Sequence, residues 1–195
     1  KKEHAVKTSA STVGEAMKDA HVFVGVSVAD CIKEKDVQSM ASYPAIFAMA
    51  NPDPEIKPAA VIAAMGGRPY VMATGRSDYP NQINNVLGFP FLFRGALDVG
   101  AKTINIEMKL AAADALASVA RGAVPEHVRK FYPGADLAFG KNYIIPKPFD
   151  RRLFVEVSCA VAEAAVRSGA APSMDLKSYR VSLERRNETR LAVDD

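Results

Sequence analysis

The sequence predicts an α/β fold in which a parallel sheet packed with helices is followed by a helical segment. Three short apolar runs, at residues 21–27, 44–50 and 70–74, end in polar residues and are separated by helical patterns. Strands that alternate with helices over short links are typical of parallel sheets. Beyond residue 98 the apolar positions recur at helical spacing, so the second half is predicted to be helical.

Composition and charge limit the class of protein. The 195 residues are 49% apolar with a net charge of +3, which suits a sizeable core and gives no basic block for nucleic acid. No apolar run reaches the about 18 to 20 residues that span a bilayer, and no signal peptide opens the chain. Cys31 and Cys159 are far apart and fit reduced thiols. We expect a soluble, cytoplasmic protein without nucleic-acid or membrane partners.

The elements of the first half follow from local patterns. Ser11 or Thr12 is predicted to cap a short helix. The run at 21–27 is rich in β-branched residues and predicts a strand buried on both faces. Helices are predicted at about 36–41 and at 58–65, where a proline opens the second helix and two glycines follow its end.

The elements of the second half are predicted as helices joined by loops rich in proline and glycine. Thr103 is predicted to cap a helix with one apolar and one polar face, which ends at Gly122. A short helix follows at 124–131, and Asp150 is predicted to cap another long helix. The Arg- and Glu-rich tail is predicted to be a solvated helix.

Polar residues follow each predicted strand, and the carboxyl ends of parallel strands meet at the edge where ligands bind. Ser27, Asn51, and the pair Asn84 and Asn85 are therefore expected to line one cleft. The pair could hold the carboxylate of a small acid or simply cap the next helix. Asn51 could equally start the proline-rich turn, and Ser27 could either contact a ribose or phosphate or let the backbone turn.

No constellation of catalytic residues is recognisable. Asp53 and Glu55 could bind a divalent ion, but carboxylates in a proline-rich loop are commonly solvated, and we assign no metal ligand and no catalytic residue. Neither a Gly-x-Ser-x-Gly nucleophile motif nor a Gly-x-Gly-x-x-Gly dinucleotide turn occurs in the sequence.

Two segments carry a family resemblance: Phe47-Ala-Met-Ala-Asn-Pro-Asp-Pro-Glu-Ile56 and Gly75-Arg-Ser-Asp-Tyr-Pro-Asn-Gln-Ile-Asn-Asn-Val-Leu-Gly-Phe-Pro90. They resemble the malic enzyme family, and within it the bacterial NADP-dependent branch. The likeness runs from about Ser11 to Ser168. Malic enzymes are oxidoreductases that transfer hydride from malate to a nicotinamide cofactor, decarboxylate the product with Mg²⁺ or Mn²⁺, and release pyruvate.

The resemblance implies roles for individual residues. Asn51, Asn84 and Asn85 match substrate-binding positions, and Ser27, Asn51 and Asn84 match cofactor-binding positions. The family's catalytic Tyr and Lys, acidic metal ligands and glycine-rich turn lie upstream in its chain order, and nothing here matches them. The chain is therefore expected to be the carboxyl-terminal part of the catalytic region, to be inactive alone, and to depend on Mg²⁺ or Mn²⁺ bound by residues outside it.

The resemblance also implies a domain organisation. Residues 1–100 would complete a Rossmann-like NAD(P)-binding domain that lacks its glycine-rich turn, 101–170 would be a helical segment packing on it, and 171–195 a charged tail or linker. The implied partners are malate and pyruvate, the N-terminal part of the same enzyme, and further copies in a homo-oligomer. In the bacterial branch a phosphotransacetylase-like domain commonly follows.

Two other classes of protein stay open on the residues alone. One is a non-catalytic domain that binds a nucleotide or organic acid, or serves assembly; the other is a fragment of another 2-hydroxy-acid or amino-acid dehydrogenase. NADP is favoured over NAD by the branch alone, because the residue that distinguishes them lies about 20 residues beyond the absent glycine turn.

Overall fold

The structure, a computed structural model, describes residues 5–194, with side chains up to residue 189. The first four residues and the last one, which belong to the predicted first and third regions, lie outside the described residues. The chain packs into two compact units, a first unit that ends at Gln82 and a second unit that begins at Ile83. The domain boundaries expected at residues 100 and 170 stay predictions.

The first unit is built on a three-stranded parallel sheet whose strands lie in sequence order. They are β1 (Val22–Gly25), β2 (Ala45–Ala48) and β3 (Val71–Thr74). The central strand β2 pairs with both neighbours, and its Ile46 lies opposite Phe23 of β1. The parallel sheet predicted from three apolar runs is confirmed.

Three helices accompany the sheet: α1 (Val13–Met17), α2 (Glu34–Gln38) and α3 (Pro58–Met65). Thr12 caps α1 in a capping box, as predicted. The predicted bounds of α3 are also confirmed, because it opens on its proline and ends before Gly66, whose φ of +52° is left-handed.

Strand β1 is exposed on one face. Val22 and Val24 are 54% and 61% exposed, whereas Phe23 on the opposite face packs against the buried core. The strands follow one another in one direction, so right-handed crossovers place α2 and α3 on the same side of the sheet. The core of this unit forms there, and the prediction of a strand buried on both faces is wrong for β1.

The second unit is helical, as predicted, and α7 lies at its centre. Its helices are α4 (Phe89–Asp98), α5 (Ile106–Arg121), α6 (Glu126–Phe131), α7 (Arg152–Arg167) and α8 (Leu176–Asp194). Helix α7 packs against α4, α5 and α8. Because neighbours surround it, α7 is buried around most of its circumference, with Val157, Val161 and Ala165 fully inaccessible.

The starts of α5 and α7 differ from the predicted caps. The Asn105 Oδ1 accepts the Met108 N–H at 3.0 Å, so Asn105 caps α5 and the prediction of Thr103 is wrong. Asn105 Nδ2 also donates to Ser168 Oγ at 2.8 Å, a contact distant along the chain that local spacing does not predict. The N-cap residue of α7 is Arg151, without a side-chain cap, so the prediction of Asp150 as the cap is wrong. Asp150 lies one residue earlier, and its Oδ1 accepts the Arg152 N–H at 3.1 Å.

The charged tail forms α8, and specific polar contacts hold its first turns. The Tyr179 hydroxyl donates to Asp98 Oδ2 at 2.9 Å, which ties α8 to the end of α4. The Arg180 guanidinium donates to both carboxylate oxygens of Glu156 at 2.9 Å, which ties α8 to α7. The predicted solvated helix is therefore anchored at its beginning.

The Tyr143 hydroxyl is a buried polar group that should cost stability. Tyr143 is inaccessible, and among the described residues its hydroxyl has no hydrogen-bond partner. Burial, reinforced by the Asp150 charge, raises the pKa of Tyr143 to about 12. We expect Tyr143→Phe to raise the free energy of unfolding at neutral pH by up to about 1 kcal/mol, because an unpaired hydroxyl is removed.

The same substitution should also change how the free energy of unfolding depends on alkaline pH. A raised folded-state pKa gives stability that is fully present below the ordinary tyrosine pKa of 10.0 and is lost as the pH rises through about 12. Tyr143→Phe should therefore lose less stability than the wild type over this range in urea unfolding. The exposed Tyr43→Phe is the control and should follow the wild type. Identical alkaline slopes for Tyr143→Phe and wild type would contradict the prediction.

Candidate functional site

The carboxyl ends of the three parallel strands form one edge of the first unit. Ser27 lies just beyond β1 and Asn51 just beyond β2, and both residues are exposed. Among the described residues, the Asn51 side chain makes no hydrogen bond. The structure thus brings Ser27 and Asn51 to the same edge with their polar groups accessible, and their ligand contacts stay predictions.

Glu55 joins the ends of β1 and β2. Its Oε1 accepts the Ser27 N–H at 2.8 Å, and its Oε2 accepts the Ala50 N–H at 3.0 Å. The Ser27 hydroxyl also donates to Oε1, at 3.4 Å. Glu55 is fully buried, so the expectation of a solvated carboxylate is wrong for this residue. Backbone N–H groups beyond the end of a strand have no partner in the sheet, so they need another acceptor. The Glu55 carboxylate is that acceptor for Ser27 and Ala50.

Two opposing effects act on the charge of Glu55. Burial raises the pKa of its carboxyl, whereas the N–H groups of Ser27 and Ala50 stabilise the carboxylate. The hydrogen bonds outweigh burial, and the pKa of Glu55 lies below its ordinary value. Glu55 is therefore a carboxylate at neutral pH.

Arg76, which follows β3, forms a second polar link at this edge. Its Nε and Nη2 donate to the two carboxylate oxygens of Asp78 at 2.9 Å, and its Nη1 lies 3.4 Å from Asp53 Oδ1. The Arg76 guanidinium lowers the pKa of Asp78 through this hydrogen bonding. These groups are exposed, as expected for Asp53, so the pairs contribute little to stability. They do connect the loops that follow β2 and β3.

Asn84 and Asn85 lie at the start of the second unit. The Asn84 Oδ1 accepts the Val86 N–H at 3.0 Å, so Asn84 is a cap, but of a short 3₁₀ turn and not of the next helix. Helix α4 starts separately, after Gly88. Asn85 is exposed, and its side chain makes no hydrogen bond within the part of the chain that is described.

Two of the four residues expected to line the cleft lie at the edge of the first unit. Ser27 and Asn51 share the edge of the first unit, whereas Asn84 and Asn85 belong to the second unit. The common cleft therefore stays a prediction.

The sequence reasoning missed the role of Glu55 because its partners are distant along the chain. Ser27 lies 28 residues earlier, and no periodic pattern joins two such positions. The available local signal was Ile56, an apolar residue directly after the polar turn, which is buried and marks the return of the chain to the core.

Metal-binding clusters and membrane-spanning helices are both absent from the part of the chain that the structure describes. Within residues 5–194, no cluster of three or more His, Cys, Asp or Glu side chains could hold a metal ion. Asp53 and Glu55, which could bind a divalent ion by their residue type, belong to no such cluster in this range. No helix in that range is long and apolar enough to cross a membrane.

Comparison with protein families gives one matching model. Residues 1–137 match the model described as malic enzyme, NAD binding domain.

Curated relatives are similar along nearly the whole chain. The NADP-dependent malic enzyme of Rhizobium meliloti is 52% identical over 190 residues, which are 96% of this chain and 25% of that protein. The NAD-dependent malic enzyme of the same organism is 45% identical over 185 residues, 93% of this chain and 24% of that protein. The chain thus spans about a quarter of the length of these relatives.

A solved structure shows the same fold. The malic enzyme from Pyrococcus horikoshii aligns with a TM-score of 0.73 at 35% identity. The alignment covers 92% of this chain and 38% of that one.

Proposed function

The chain belongs to the malic enzyme family, and from this premise we propose that it supplies the cofactor- and malate-facing edge of an NADP-dependent oxidative decarboxylase. The reaction would convert malate and NADP⁺ into pyruvate, CO₂ and NADPH. The observation that carries the proposal is the edge itself, where Ser27 and Asn51 are exposed and Glu55 accepts the backbone N–H groups of Ser27 and Ala50. Open parallel sheets bind nucleotides outside the carboxyl ends of their strands.

The proposed contacts use neutral donors and acceptors. The Ser27 hydroxyl would bind the cofactor ribose, and the Asn51 amide would face both the nicotinamide and malate. Asn84 has its Oδ1 engaged by the Val86 N–H, so it would contribute its amide N–H groups to cofactor and substrate. Asn85, exposed at the same turn, would donate to malate.

The remaining chemistry is assigned to the rest of the parent enzyme. We propose that its catalytic Tyr and Lys lie outside this chain. Mg²⁺ or Mn²⁺, held by ligands outside these residues, would supply Lewis-acid chemistry.

The proposed cofactor is supported by the names of the relatives, and the proposed partners rest on the resemblance to the family. We propose NADP because relatives at 50–52% identity are named NADP-dependent, whereas the NAD-dependent relative is 45% identical. A cytoplasmic homo-oligomer is proposed, in which the preceding part of the enzyme completes the site. A phosphotransacetylase-like domain is proposed to follow this region.

The test compares the full-length enzyme with the 195-residue chain. The full-length enzyme should form NADPH and pyruvate in equal amounts when malate, NADP⁺ and Mg²⁺ are supplied. The chain alone should form neither. Lack of malate-dependent NADPH formation by the full-length enzyme would overturn the proposed activity, and turnover by the chain alone would overturn the assignment of catalytic groups elsewhere.

Replacing Asn85 in the full-length enzyme should impair the use of malate. Asn85→Ala is expected to lower kcat/KM for malate by on the order of 1 to 3 kcal/mol in transition-state stabilisation, because a hydrogen bond to the substrate is lost. The NADP dependence should change much less. Asn187→Ala, in α8, removes the same amide outside the proposed site and should match the wild type. Steady-state kinetics at varied malate concentration would measure this loss. An unchanged kcat/KM for Asn85→Ala would show that Asn85 does not bind malate.

A further inference from the structure

The two carboxylate oxygens of Glu55 serve different loops. Oε1 holds the backbone N–H of Ser27, and Oε2 holds the N–H of Ala50, the residue directly before Asn51. One rigid, buried group therefore fixes the backbone on which both exposed side chains are carried.

Backbone contacts keep the same two loops together. The Asp30 N–H donates to the Pro54 carbonyl at 3.2 Å, and the Ile32 N–H donates to the Glu55 carbonyl at 3.1 Å. The loop after β2 thus returns beside the loop after β1, and Glu55 lies where they meet.

Gly25 is the last residue of β1, and the Glu55 carboxylate occupies the space that a side chain at Gly25 would need. A Cβ at Gly25 would overlap the Glu55 carboxyl carbon and would lie 2.8 Å from Oε2. Since real Cβ atoms do not approach so closely, any side chain at Gly25 must displace the carboxylate. The position of the Glu55 carboxylate therefore depends on the absence of a side chain at residue 25.

We propose that Glu55 is a positioning residue, which sets the spacing of the β1 and β2 ends and so places Ser27 and Asn51 for the nicotinamide cofactor. The inference rests on the proposed function for the cofactor contacts. Glu55 touches no reacting atom in this assignment, because its carboxylate is buried and turned to backbone N–H groups.

Glu55→Gln is the variant that probes this role in the full-length enzyme. The glutamine retains one acceptor oxygen but places an amide N–H₂ against the second backbone donor, so one of the two loops is released. NADP binding, measured by calorimetry without turnover, should weaken by about tenfold to a hundredfold. Hydrogen exchange should become faster in the segments that contain Ser27 and Ala50.

Gly25→Ala should weaken NADP binding as Glu55→Gln does, because it disturbs the same carboxylate from β1. Its Cβ displaces the Glu55 carboxylate, so the NADP dissociation constant should rise as it does in Glu55→Gln. The double variant should bind NADP no more weakly than the worse single variant, because each change disrupts the same contact. Glu34→Gln makes the same change of charge at an exposed position of the first unit and should bind NADP like the wild type.

The outcomes separate this inference from the proposed function. Wild-type-like NADP binding by Glu55→Gln would overturn the inference, as would fully additive losses with Gly25→Ala or unchanged exchange at Ser27 and Ala50. A lower melting temperature with unaltered NADP binding would also overturn it, since the role would then be structural alone. Failure of the wild-type enzyme to reduce NADP⁺ with malate would instead overturn the proposed function.

Discussion

Replacing Asp150 with alanine should lower the free energy of unfolding by about 1 to 3 kcal/mol, because the buried carboxylate that pairs with the partly exposed Arg152 is lost. The Asp150 side chain is inaccessible, and its Oδ2 lies 2.6 Å from Arg152 Nη2. Its Oδ1 accepts from both the Nε and the backbone N–H of Arg152 at the start of α7. The alanine would remove the acceptor of the Arg152 N–H and leave the guanidinium without its ion-pair partner. The Arg152 Nη1 also donates to the Ala123 carbonyl, so a link between α7 and the loop after α5 would loosen.

Urea unfolding of the 195-residue chain would measure this loss. Glu163→Ala is the matched control because it removes an ion pair from the same helix. Glu163 and Arg167 are both mostly exposed and 3.8 Å apart, so that change should cost less than about 1 kcal/mol. Equal costs for the two variants would show that burial does not set the contribution of Asp150.

Gly95→Ala should destabilise the second unit by about 1 to 3 kcal/mol or more, because it overfills the crossing of α4 and α7. A Cβ at Gly95 would overlap the Ser158 carbonyl oxygen and would lie 2.9 Å from Val161 Cβ. Both neighbours belong to the central helix, and the backbone oxygen cannot swing aside as a flexible side chain does. The helices must therefore separate, which costs packing along the whole crossing.

The same unfolding experiment tests this prediction, with Gly140→Ala as its control. A Cβ at Gly140 would have the Ala138 carbonyl oxygen as its neighbour at 3.8 Å, an ordinary van der Waals contact, and should change stability by less than about 0.5 kcal/mol. If Gly95→Ala unfolded at the same urea concentration as the control, the close approach of α4 and α7 would not limit stability.

Patterns within a single element were good predictors of the fold. A proline at the first position and a glycine pair after the end placed α3 correctly, and three apolar runs placed the strands of the parallel sheet. The cap at Thr12 was likewise predictable. Each of these features depends on residues within about one helical turn of one another.

Burial and partners were harder to predict. The apolar composition of β1 suggested burial on both faces, but the direction of the crossovers put the helices of its unit on one side and left Val24 exposed. Likewise, a glutamate in a proline-rich turn looked solvated, although Glu55 is buried. Its acceptor role depends on backbone donors brought close by the pairing of β1 and β2.

The sequence by itself determined the alternation of strands and helices, the positions of Ser27 and Asn51 at the ends of strands, and membership of the malic enzyme family, which the comparisons confirmed. These depend on local periodicity and on residue identities in order. The tertiary structure alone decided that Glu55 holds two strand ends and that Gly25 must lack a side chain beside it. Hydrogen bonds and close contacts of this kind depend on distances in space, which sheet topology sets and local patterns do not encode.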